Sequence, residues 1–381
     1  MRRERVIFVH LDYGRSEASW RERYARGEVW GETPYSYGTA RTAANLKVGF
    51  SVDHKETRLG KFIRRIILFG LGFDLVHAWR NRRHFQADAI WTHTEREALA
   101  VSLILQLLRL RTVLVAQTIW LYDNGRLRNP VSRFALLLLI RRFSVELVHS
   151  DVNQSKAQEL SAARRVLRIP FGPAVDEEPQ LPYAPRRRSV FAPGNDKQRD
   201  WNVLIEAATL LPDVEFLIGC DPRRVKLPSS APSNLRVKRL NRVESISNAY
   251  RTSGAVVVPL RPNAHASGAT VAIEAQHFGT PLVTADTGGL KEYISEDARI
   301  FYEVGAAPSL AAAIERALDR PTVPSDLGAR GLTAADYIMR YREITSWLLG
   351  DSQLNPIVEQ FVRQRPDTDG DDDLPSSKKM N

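Results

Sequence analysis

Two segments of the chain combine glycine, small hydroxyl side chains and charge in spacings that suit phosphate and sugar chemistry. The first is APGNDKQRDW, residues 192–201, with a glycine turn at Gly194, cations at Lys197 and Arg199, and a helix opening at Trp201. A helix N-terminus offers unpaired N–H groups and partial positive charge, and two cations beside it would neutralise a diphosphate. The competing reading is a surface turn with solvated charges. The second segment is NAHASGATVAIEAQHFGTPLVTADTGGLKEY, residues 263–293. Its small-residue turn through Ser267, Gly268, Ala269 and Thr270 would let backbone amides approach a phosphate closely. Glu274 follows two helical turns later on the face that begins at Ser267. A carboxylate there could accept two hydroxyl hydrogen bonds, as from a ribose. The competing reading is a routine helix cap, a glycine C-cap and a loop.

Such loops act together only if a scaffold brings them to one edge. Short β-branched runs alternate with longer amphipathic stretches, which predicts parallel βαβ units. Expected strands in the first half are Arg5–His10, Ala89–Thr92, Thr112–Ala116, Val145–Val148 and Val166–Ile169. Expected helices are Arg58–Arg83, Glu95–Leu110, Pro130–Arg142 and Asn153–Ala163. The pattern breaks at the Pro- and Arg-rich PQLPYAPRRR and restarts with strands at Ser189–Ala192, Val214–Ile218, Leu235–Val237, Ala255–Pro259, Pro281–Thr284 and Arg299–Tyr302. The expected fold is α/β: two tandem doubly wound, Rossmann-like domains facing a cleft. The boundaries are 1–178 for the first domain, 179–188 for a linker and 189–335 for the second domain. Helices over 336–365 would pack back on the first domain, and the acidic tail 366–381 would be disordered. Ligands of open parallel sheets sit beyond the carboxyl ends of the strands, where both segments fall.

With 381 residues, two to three domains of roughly 150 residues are expected. The net charge is +10, unevenly spread: residues 1–150 carry 25 basic and 14 acidic residues, and residues 151–381 carry 29 and 30. The basic half implies an anionic partner such as a membrane face, a nucleic acid or a phosphorylated substrate. Within it, residues 58–83 hold seven Lys or Arg and one acid around the apolar run Ile66–Phe73. That pattern suits an interfacial helix on an anionic bilayer; the alternative is a core helix with solvated ends. The single Cys220 excludes an intramolecular disulfide and fits a reducing compartment. No apolar run reaches the ~20 residues of a membrane span, and the N-terminal one is too short for a secretory signal. A cytoplasmic protein, peripheral on the inner membrane face, is expected.

The run from Glu274 through Phe278-Gly279-Thr280-Pro281 and Asp286-Thr287-Gly288-Gly289 to Glu292 resembles the donor-binding signature of retaining GT-B glycosyltransferases similar to glycosyltransferase family 4. Arg199 ahead of the Leu204-Ile205-Glu206-Ala207 helix, Ile169-Pro170-Phe171-Gly172, and His149-Ser150 with Asn153 extend the likeness. It is strong over 189–320, weaker over 86–176 and absent over 11–85. The resemblance implies that Glu274 binds the nucleotide ribose and Arg199, with Lys197, the diphosphate. Gly194 and the amides of Ser267–Thr270 would contact phosphate and donor sugar. The family has two glutamates separated by seven residues; Glu274 is the second, and Ala266 stands at the first. His265 or Ser267 would take over that contact, or the donor sugar differs. Asn195 replaces the family's Arg after the glycine.

The first domain would then hold the acceptor, with Asp123 deprotonating its hydroxyl if the enzyme inverts and His93 doing the same or orienting a phosphate. As structural residues, His93 would be a strand-end histidine and Asp123 a turn residue. Trp30, Tyr35 and Tyr37, at the far end of the long loop Asp12–Gly38, could stack on a sugar or lipid-linked acceptor. The implied activity is hexosyl transfer from a nucleotide diphosphate sugar to a glycan or lipid-linked acceptor, with retention and without metal or other cofactor, in cell-surface polysaccharide or glycolipid synthesis. A sugar-nucleotide epimerase on the same fold and a non-catalytic basic membrane protein are the alternatives. No nucleic-acid partner is expected, because no recognition helix, zinc set or aromatic sheet motif is present.

Overall fold

The computed structural model describes residues 3–43, 45–123, 125–127, 129–160, 164–175, 187–321 and 324–353. Most of the expected linker, the later part of the helices expected over 336–365 and the acidic tail lie outside these. Within them the chain folds around two six-stranded parallel sheets. The first contains β1 (Arg5–His10), β2 (Leu46–Phe50), β3 (Ala89–Thr92), β4 (Val113–Gln117), β5 (Val145–Val148) and β6 (Val166–Arg168), in the order β2-β1-β3-β4-β5-β6. The second contains β7 (Arg187–Pro193), β8 (Glu215–Gly219), β9 (Leu235–Lys238), β10 (Ser253–Val258), β11 (Leu282–Ala285) and β12 (Ile300–Tyr302), in the order β12-β11-β10-β7-β8-β9. This is the expected doubly wound α/β architecture.

The helices are α1 (Glu17–Ala25), α2 (Arg58–Leu71), α3 (Leu75–Asn81), α4 (Glu95–Leu107), α5 (Pro130–Ile140) and α6 (Asp151–Leu160), then α7 (Trp201–Leu210), α8 (Val243–Thr252), α9 (Ala269–His277), α10 (Ala307–Leu318) and α11 (Ala334–Leu348). Every residue of β3, β5, β10 and β11 is buried, as parallel strands covered on both faces require. α11 returns to the first domain. Its Tyr337, Ile338, Tyr341 and Ile344 share a core with Ile7, Val9 and Trp91, and the Trp91 indole donates to Thr345 Oγ1 at 2.8 Å.

Three local expectations are corrected. Strand β2 lies in a stretch not read as a strand: LKVGF is short, carries a lysine and a glycine, and forms a sheet edge. The single helix expected over 58–83 is two, because Gly72 ends α2 in the left-handed conformation and the Asp74 carboxylate caps α3 at the His77 N–H. Arg187 and Arg188 belong to β7 rather than to a linker.

The two domains meet along the carboxyl edges of their sheets. Tyr293 OH donates to the His149 carbonyl at 2.9 Å and accepts from Phe171 N–H at 3.0 Å. Arg168 pairs with Glu292 at 2.8 Å, and Ser150 Oγ donates to the Ala264 carbonyl at 3.0 Å.

Candidate functional site: a cleft with a buried arginine

The order of the second sheet reverses between β7 and β10, so the loops leaving these two strands open onto one crevice. The loop after β7 turns at Gly194, φ +139°, where a Cβ would fall 2.6 Å from Arg199 Nε. The loop after β10 turns at Gly268, φ +92°, where a Cβ would fall 2.7 Å from Val258 Cγ1 and 3.3 Å from Arg199 Nη1. Only glycine leaves the guanidinium room between the two turns. Arg199 is 4% exposed. It donates from Nη1 to Ser267 Oγ at 3.2 Å, and its Nε has no partner. The neighbouring carboxylates are engaged elsewhere, Asp196 by His265 at 3.0 Å and Asp200 by Arg261 at 3.8 Å. Burial pushes the Arg199 pKa down, and the charge of Asp196 acts against that shift without cancelling it. No side chain caps α9, so its first turn adds N–H groups and the positive end of the helix dipole. A buried cation matched this poorly by protein anions is suited to an external one. Ala269 is buried in that first turn, Thr270 is exposed on it, and Lys197 is exposed on the loop after β7.

Glu274 lies on α9, 8% exposed. It accepts from Tyr250 OH at 2.7 Å, and the Trp30 indole lies nearby. Burial pushes its pKa up to about 7, against the pull of these two groups.

A second cluster spans the cleft. His265 sits between Asp123, on a turn after β4, and Asp196, with Nδ1 toward Asp123 and Nε2 3.0 Å from Asp196 Oδ2. The Asp123 carboxylate also accepts the backbone N–H groups of Ala264 and His265, at 2.7 Å and 3.2 Å. Trp120 Nε1 donates to Asp196 at 3.4 Å. Burial alone would lower the His265 pKa, but the bonds to the two carboxylates outweigh it and raise it. Burial would raise both aspartates, but bonding to His265 and to backbone amides holds them below the usual carboxylate range. Three donors thus satisfy Asp123, leaving it a weak base in this arrangement and a strong anchor between the domains.

His93 lies outside both clusters. Its Nδ1 is 3.1 Å from Tyr37 OH, and Tyr35 stacks on its ring at a centroid distance of 3.6 Å. Burial pushes its pKa well down, so it is neutral. Tyr37 has no exposed surface and bonds Tyr337 and Tyr341 of α11. It belongs to the core and is out of reach of an acceptor. The sequence reading missed Asp196, Trp120, Tyr250 and the role of Trp30. Only Asp196 carried a signal, as an acid inside a loop otherwise read for its cations.

The basic stretch is folded inside out. The one buried residue of α2 is Arg64, which bonds Glu56 at 2.8 Å and Asp74 at 2.6 Å and lies 4.2 Å over the Tyr13 ring. Phe69, Leu59 and Phe62 are 88%, 67% and 61% exposed, with Arg58, Lys61 and Arg65 exposed around them. No helix among the described residues is long and apolar enough to cross a membrane.

Two Rossmann-like domains with a cleft lined from both sides define the GT-B architecture. Within it, residues 188–320 match the family described as Glycosyl transferases group 1, and the chain carries a domain of that type. A D-inositol 3-phosphate glycosyltransferase from Gordonia bronchialis is 28% identical over 165 residues, 43% of this chain and 32% of that protein. The chain thus matches about a third of the length of this curated relative. Sucrose-phosphate synthase from Thermosynechococcus elongatus has a similar fold, with a TM-score of 0.64 and 18% identity over 91% of this chain and all of that one. HepE of Anabaena, solved in complex with UDP-glucose, superposes with a TM-score of 0.55 and 15% identity over 93% of this chain and 98% of its own.

Proposed function

We propose that the protein is a glycosyltransferase that moves a hexose from a nucleotide diphosphate sugar to a glycan or lipid-linked acceptor at the cytoplasmic face of a membrane, in cell-surface polysaccharide or glycolipid synthesis. The observation that carries this reading is Arg199, buried between Gly194 and Gly268 at the open end of α9 with no carboxylate of its own. The match over 188–320 and the UDP-glucose bound by HepE support a nucleotide sugar as the donor. In the transfer, the bond from the sugar's anomeric carbon to the diphosphate oxygen breaks and the acceptor oxygen bonds that carbon. The acceptor's proton passes to the departing phosphate, as retention with no protein base implies. Arg199, Lys197 and the α9 amides meet the charge that develops on the leaving group. Glu274 takes the ribose, and His265 or Ser267 takes over the donor-sugar contact of the missing first glutamate, or the donor sugar differs. Calorimetric titration of the full chain with UDP, GDP, ADP and their hexose conjugates is expected to give binding with at least one. A flat response to all of them sinks the proposal.

The membrane partner is proposed from α2. A helix that buries an arginine and exposes phenylalanines has its apolar face turned to a surface outside the protein, and the cations around it fit anionic headgroups. The double variant Phe62→Ser/Phe69→Ser is expected to sediment with vesicles of phosphatidylcholine and phosphatidylglycerol at least ~10-fold more weakly than wild type, since each ring contributes on the order of 2 kcal/mol. Its nucleotide affinity is expected to be unchanged. Undiminished sedimentation would place the contact elsewhere.

A further inference from the structure

The segment between α1 and the turn at Pro34 leaves the first domain and reaches the second. Gly27 and Gly31, both at positive φ, bracket it. At one end the Gly27 carbonyl accepts the backbone N–H of Val243, the first residue of α8, at 2.8 Å. At the other, the Gly31 carbonyl accepts the Trp20 indole at 3.1 Å, within the first domain. Between them Trp30 packs against the core of the second domain, with its indole close enough to Glu274 to favour the charged carboxylate. The carboxylate that the sequence singles out for a ribose is therefore held between Tyr250 and Trp30 and almost closed to solvent.

We propose that residues 26–33 form a strap across the cleft in which Trp30 occupies the seat of the nucleotide's ribose, so that a nucleoside diphosphate binds by displacing it. This rests on the nucleotide-sugar reading above and adds a conformational step to it. A ribose diol and an indole N–H compete for one carboxylate. The strap can yield because, among the described residues, it reaches the second domain through the Trp30 side chain and the Gly27 carbonyl, between two glycines free to change conformation. Affinity for the nucleotide is then reduced by the fraction of molecules with the strap seated.

Calorimetric titration of full-length wild type, Trp30→Ala and Trp30→Phe with UDP, GDP and ADP tests this. Removing the competitor is expected to tighten binding of the preferred nucleotide on the order of 10-fold in Trp30→Ala. Trp30→Phe, which keeps a ring but lacks the N–H, is expected to fall between. Each variant is compared at a melting temperature close to that of wild type. Unchanged affinity in Trp30→Ala overturns the strap while leaving the nucleotide reading intact. Weaker binding overturns it too, because Trp30 would then be part of the nucleotide's own seat. If neither wild type nor variant binds any of the three, the nucleotide reading fails and the strap with it.

Discussion

Arg199→Met is expected to weaken nucleoside diphosphate binding about 100-fold and, in the same protein, to leave stability unchanged or improved by ~1–3 kcal/mol. The two effects share one cause. The guanidinium is buried with a single hydroxyl partner at 3.2 Å and an orphaned Nε, so its desolvation is not repaid within the free protein. Methionine fills a similar volume with flexible, apolar atoms and removes that penalty. The ligand loses charge-assisted bonds that a diphosphate would make to a preformed, water-poor site, and such bonds are stronger than their surface counterparts. Thermal unfolding of the free protein and calorimetry with the preferred nucleotide read both quantities. A melting temperature lowered by several degrees with affinity intact would make Arg199 a structural residue and move the anion site elsewhere. Arg199→Lys keeps the charge but not the planar fork, and is expected to restore part of the affinity.

The parts of this site that were legible in the sequence are those fixed by local geometry. Gly194 and Gly268 follow apolar strands and precede helices, and a positive φ at each is a short-range demand that the sequence meets openly. Glu274 lies two turns into α9 from Ser267, a spacing that any helix preserves. Contacts between residues far apart in sequence carry no such signal. Asp123 and His265 are 142 positions apart, and nothing near either one indicates that a turn after β4 will meet a turn after β10. The same holds for Trp30, which the sequence offers only as an aromatic in a long loop. Helix α2 shows a different limit. Its periodicity announces two faces but not which is inward, and that choice is made by Glu56 and Asp74, which draw Arg64 in. The break at Gly72 was visible as a glycine, yet the apolar run through it read more strongly than the cap.

The cross-cleft cluster and Arg199 also explain each other. Asp196 is the carboxylate positioned to neutralise Arg199, but it is bonded to His265, which Asp123 holds from the first domain. Joining the domains therefore keeps Asp196 occupied and away from the guanidinium. Asn195 and Ala266, where the family pattern has an arginine and a glutamate, remove one charge of each sign from the same crevice. The net charge of the crevice is therefore the same as in the pattern.

Glu274→Gln is expected to raise stability more as the pH rises, while weakening nucleotide binding by about 10-fold or more. The sign follows from its titration. The ordinary value is 4.5 and the folded value about 7, so between these the folded chain keeps a proton that the unfolded chain has released. The contribution of Glu274 is therefore most favourable below the unfolded value and is lost as pH climbs through the folded one, by roughly 3 kcal/mol in all. Glutamine accepts the Tyr250 bond through its carbonyl oxygen and does not ionise. The stability gap between variant and wild type should then widen by roughly 2 kcal/mol from about pH 5.5 to about pH 8.5. Comparing the two proteins at each pH cancels other groups that titrate in this window, His265 among them. For the ligand, glutamine replaces one acceptor oxygen by a donor, so one ribose hydroxyl loses its partner and faces an N–H group. Melting temperatures across that range and calorimetry at its upper end read the two predictions separately. A gap that does not change with pH would mean that Glu274 is hydrated in the free protein, and unchanged affinity would remove it from the donor site.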